Sequence, residues 1–83
     1  MKTQFLVLPY KLGARNKLEV QQAQACRTDA EALRTGERMA TRFVGIVVLS
    51  QNFDETADFA ADPVVLATYG TVPDQWDEFK VAA

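Results

Sequence analysis

Residues 28–51, T-D-A-E-A-L-R-T-G-E-R-M-A-T-R-F-V-G-I-V-V-L-S-Q, decide the fold of this chain. They read as one amphipathic helix running almost directly into one strongly apolar strand. Thr28, Asp29, Ala30 and Glu31 fit a capping box, in which the Thr28 hydroxyl and the Glu31 carboxylate each satisfy a free backbone donor. Asp29 and Glu31 also set negative charge at the positive end of the helix dipole. At about 100° per residue, Ala32, Leu33, Gly36, Met39, Ala40 and Phe43 share one arc roughly a third of the circumference wide. Arg34, Glu37, Arg38, Thr41 and Arg42 fill the rest, so one face is buried. Gly36 lies within the apolar arc at a helix cost of about 1 kcal/mol relative to Ala, which predicts close backbone approach to a sheet. From Val44 or Gly45 onward, Ile46, Val47, Val48 and Leu49 are apolar on both faces of a pleat and mostly β-branched, the pattern of a central strand.

Working outward, residues 4–11 form a first strand with Phe5 and Val7 on one face and Leu6, Leu8 and Tyr10 on the other. Pro9 cannot donate to a ladder and marks a bulge or a point where pairing stops. Residues 13–16 make a turn. Residues 17–23 then alternate, Leu18 and Val20 inward against Lys17, Glu19 and Gln21, as an edge strand does. Downstream, residues 52–63 are polar and acidic and read as a long loop. Residues 64–69 form the last strand, in which Val65 and Tyr69 oppose Val64 and Leu66. Pro73 and Asp74 open a short helical turn bearing Trp76 and Phe79 three apart.

The expected fold is therefore a single α+β domain over residues 1–83. It has a small four-stranded, mostly antiparallel sheet (β-β-α-β-β), one amphipathic helix on one face and a short C-terminal helical turn. The expected strand order is 2-1-3-4. The competing order pairs strands two and three in parallel through a right-handed crossover, and Pro9 mildly favours it by keeping strand one off the centre.

The composition, 48% hydrophobic and 24% charged, is that of an ordinary globular chain. A single Cys26 rules out an intrachain disulfide and fits a reducing compartment. No signal segment or membrane span is present, and a complete small cytoplasmic protein is expected. The net charge of −2 conceals two unlike halves. Residues 1–42 carry eight basic and four acidic side chains, net +4; residues 43–83 carry one and seven, net −6. Such halves attract each other within one copy or between copies.

The absence of histidine excludes Ser-His-Asp and Cys-His catalysis and every His-based metal site. One cysteine builds no thiolate cage, and no phosphate-binding glycine motif occurs. Cys26 stands before the helix cap beside Arg27, yet without a base or a resolving cysteine it reads as a small semi-buried residue. Asp54, Glu55, Asp58 and Asp62 match no calcium loop. No cofactor, metal or catalytic residue is expected. The most distinctive group is Arg27, Arg34, Arg38 and Arg42, a ridge along the helix opposite its buried face that could hold phosphates or an acidic protein. Against nucleic acid stand a pI near 4.9 and the lack of interleaved aromatic residues, so the ridge is expected to be solvated and relieved by Glu31, Glu37 or the acidic half.

The plan of paired strands, a capped T-D-A-E-A-L-R…E-R-M-A helix, G-I-V-V-L and a closing V-V-L-A-T-Y-G-T-V-P resembles small bacterial proteins of unknown function. The resemblance covers most of the chain and is structural, so it implies a fold and no site. A peptidoglycan-binding SPOR-type module is a more distant likeness, from which the chain departs by lacking a helix between its last two strands. The functional expectation is a binding or accessory module acting through protein–protein contacts. A single helix covers only one sheet face, yet strands one, three and four are apolar on both. A homodimer through the open face is therefore expected, with Trp76 and Phe79 at its rim. The alternative is an anion or nucleic-acid binder using the arginine ridge.

Overall fold

The computed structural model describes residues 2–54, 59–60, 63–73 and 76. Among the described residues, six strands and one α-helix follow in the order β1 (Lys2–Leu12), β2 (Leu18–Val20), β3 (Gln24–Cys26), α1 (Asp29–Met39), β4 (Gly45–Asp54), β5 (Phe59–Ala60) and β6 (Val64–Gly70). Every pairing is antiparallel. Because β2 and β3 both pair with β1, and β5 and β6 both pair with β4, the sheet is four ranks wide. The ranks follow the expected order 2-1-3-4, with β1 and β4 at the centre. The parallel alternative is overturned.

Pro9 occupies a central strand because its missing donor faces a gap. An extended residue aims its N–H and C=O at the same edge. The Pro9 carbonyl accepts from the Gln21 amide at 2.7 Å, toward the outer rank. There β2 has ended at Val20 and β3 has not begun, so no ladder bond is lost. Pairing does stop at this proline, but on the outer rank alone; on the other edge Pro9 stands opposite Ile46 without interruption. The turn before β2 is a 3₁₀ turn, Ala14–Asn16, in which Arg15 and Asn16 have φ of 60° and 59°.

The capping box holds in part. Thr28 Oγ1 accepts from the Glu31 amide at 3.1 Å, while Glu31 Oε2 accepts from the Arg27 amide at 3.4 Å, one residue earlier than expected. The helix ends at Met39, short of the expected arc, but Ala40 and Phe43 still pack on the core cluster of Val7, Ala32, Ile46 and Val48. Gly36 is buried where α1 crosses the sheet; a Cβ there would stand 2.6 Å from Val48 Cγ2. Gly45 has a comparable reason at the strand entrance, where a Cβ would collide with the Thr71 carbonyl oxygen.

Faces of β1 and β4 divide as expected: Phe5, Val7, Ile46 and Val48 toward the helix, Leu6, Leu8, Tyr10, Val47 and Leu49 away. In β6 the expectation fails. Val48 pairs with Ala67 and Leu49 with Val65, so Leu66 is the extra residue of a bulge. Leu66, Ala67 and Tyr69 consequently pack on the helix side, and Val65 on the other. The long loop is corrected too. β4 runs on to Asp54 because β1 extends opposite it as far as Lys2, and β5 folds back onto Phe53 and Asp54. Thr3 Oγ1 and Asn52 Oδ1, on register partners, hydrogen-bond at 2.6 Å in this polar end.

The face away from the helix is not open at its centre. Tyr10, Val47, Leu49 and Val65 are 0–4% exposed within one chain. Trp76 packs against them with Val72, Leu6, Leu8 and Leu18. The Trp76 amide reaches the Pro73 carbonyl at 3.3 Å, a helical turn at the expected place. Phe79 lies outside the described residues.

Candidate functional site

The four arginines do not all stand on the helix. Only Arg34 and Arg38 belong to α1; Arg27 precedes the Thr28 cap and Arg42 follows the last helical turn. All four are exposed, and among the described residues no ion pair engages any of their guanidinium groups, Glu31 and Glu37 included. The expected relief by Glu31 or Glu37 is therefore not what holds them.

The structure gathers two of them. A cleft of about 350 Å³ is lined by Gln24, Arg38, Met39 and Arg42. The backbone that presents them is well tied. Ala40 N–H donates to Gly36 O at 2.9 Å, Arg42 N–H to Met39 O at 2.9 Å, and the Thr41 hydroxyl to Arg38 O at 3.2 Å. These bonds continue the turn past Met39 and hold the backbone that carries Arg38 and Arg42. Gln24 reaches the cleft from β3, on the outer rank of the sheet. Arg27 and Arg34 do not line it. Sequence reasoning missed Gln24, which no periodic pattern marks.

Two further groups stand apart. Cys26 is half-buried, packs on the helix-side core and lies 4.0 Å from the hydroxyl of Thr35, itself buried under the helix. Trp76 Nε1–H donates to Tyr10 Oη at 2.9 Å, pinning the aromatic ring over the second face. Among the acidic residues of 52–63, Asp54 closes β4, while Glu55, Asp58 and Asp62 lie outside the described residues. No group of three His, Cys, Asp or Glu side chains suited to a metal occurs among the described residues. Nor is any described helix long and apolar enough to cross a membrane.

One corner of the second face stays bare. Leu12 pairs with Leu18 and Tyr10 with Val20, so all four point away from the helix. Leu18 and Tyr10 join the packed cluster, but Leu12 is 52% and Val20 54% exposed. Arg15 and Lys17, both exposed, sit in and just after the turn joining these strands. Lys11 lies on the opposite face, its ammonium 5.3 Å from the centre of the Phe43 ring.

No protein-family model, curated protein or solved structure matches the chain.

Proposed function

We propose that the protein is a small cytoplasmic binding module that works as a homodimer, its contact surface being the bare corner around Leu12, Leu18 and Val20. The observation that carries this reading is the exposure of Leu12 and Val20, diagonal neighbours on the sheet face whose centre is buried. Two half-exposed branched side chains on neighbouring strands lie close enough to be covered by one partner residue. Arg15, in the turn that joins the two strands, is the nearest cation, while Lys17 and Glu19 alternate to the other face. A second copy offers the complementary charge, because residues 43–83 carry a net −6. In a two-fold dimer such a contact occurs twice, each basic corner meeting the other copy's acidic half.

Sedimentation velocity at micromolar concentration, at low and high salt, tests the proposal. The expected result is a dimer that weakens as salt screens the charged halves, and a monomer for Leu12→Asp/Val20→Asp with an unchanged circular dichroism spectrum. A wild-type monomer at low salt, or a dimer that survives the double substitution, overturns it.

A further inference from the structure

We infer that the cleft between β3 and the end of α1 is a binding site for a small organic phosphate monoester. Arg38 and Arg42 flank it, and no carboxylate among the described residues pairs with either. The helix C-terminus contributes about half an elementary negative charge, which helps to hold two like charges four residues apart but does not cancel them. A net positive cleft remains. Its volume of about 350 Å³ lies within the usual range for small-ligand sites.

The donors favour phosphate. Each guanidinium presents a planar fork that matches two oxygens of a tetrahedral anion. A phosphate dianion balances both guanidinium charges, and the Gln24 amide supplies a neutral donor from β3. Met39, half-buried in the lining, adds an apolar and adaptable surface that a bare anion would leave unused. This last feature points to an ester with an organic group rather than to inorganic phosphate. The site is independent of the Leu12 and Val20 corner, and loss of one leaves the other intact.

A titration of the uniformly labelled protein followed by nuclear magnetic resonance, with phenyl phosphate at constant ionic strength, tests the inference. Saturable shifts are expected at the Gln24 side-chain amide, the Met39 methyl and the Arg38 and Arg42 Nε–H groups. Arg38→Gln/Arg42→Gln should weaken binding at least about tenfold, while Arg34→Gln, outside the cleft, leaves it unchanged. Inorganic phosphate should bind more weakly than the ester. Non-saturable shifts, shifts of equal size at Arg15 and Lys17, or an equal loss in Arg34→Gln overturn the site. Equal affinity for the two phosphates overturns the assignment of an organic ester.

Discussion

Gly36 shows how one missing side chain sets the distance between helix and sheet. The position is buried, and the nearest atoms to a built Cβ are Val48 Cγ2 at 2.6 Å, Ile46 Cγ2 at 3.4 Å and Tyr69 Cε2 at 3.4 Å. Val48 and Ile46 are fully buried and β-branched, so neither swings aside. Two effects oppose each other on substitution. Any residue but proline gains up to about 1 kcal/mol of helix propensity, whereas overpacking a filled core costs about 1–3 kcal/mol or more. For Gly36→Leu the second wins. A loss of about 3 kcal/mol or more is expected in a urea melt, and an unchanged or raised midpoint would refute the close approach.

Among the elements, α1 depends on its first turn. The Thr28 hydroxyl accepts the Glu31 amide, so Thr28→Ala should cost about 1 kcal/mol, read as a lower thermal midpoint with the same helix content at low temperature. This cap was legible in the sequence because it is local: four consecutive residues contain all its chemistry. The two faces of β1 and β4 were legible for a related reason, since alternation along one strand needs no knowledge of its neighbour. β3 and β5 were not. They have three and two residues, no apolar run, and exist because β1 and β4 offer them ladder partners. The Leu66 bulge was equally hidden, being a mismatch between two strands rather than a property of one. The candidate cleft divides in the same way. Arg38 and Arg42 stand out as charges four apart, but Gln24 arrives from a strand invisible to periodicity. Leu12 and Val20 show their alternation in the sequence, while their exposure depends on what the rest of the chain leaves uncovered.

At the scale of the molecule, the lengths of the elements decide what is covered. Eleven residues of α1 span about 16 Å, against roughly 36 Å for the eleven residues of β1. One helix cannot screen the whole ribbon formed by β1 and β4. At one end of the ribbon Thr3 and Asn52 hydrogen-bond to each other; the other end bears the half-exposed Leu12, where the proposed partner would sit.

The divided outer rank has a consequence for how the protein fails. A sheet edge recruits stray chains when it offers a long, flat, uncharged run of backbone groups. Beyond β1 the edge is cut at Pro9 into two pieces of three residues, β2 and β3, and β2 contains Glu19; neither can seed cross-β stacking. The opposite edge has no such cut or charge; its one irregularity is the bulge at Leu66. β6 is a seven-residue strand, V-V-L-A-T-Y-G, without a single charge, its outer side paired with no described residue and Val64 41% exposed. Amyloid-like growth on mild heating should therefore begin at β6 and not at β2 or β3. Val64→Lys should lengthen the lag of thioflavin T fluorescence without lowering the melting midpoint, whereas Gln24→Lys should leave the lag unchanged.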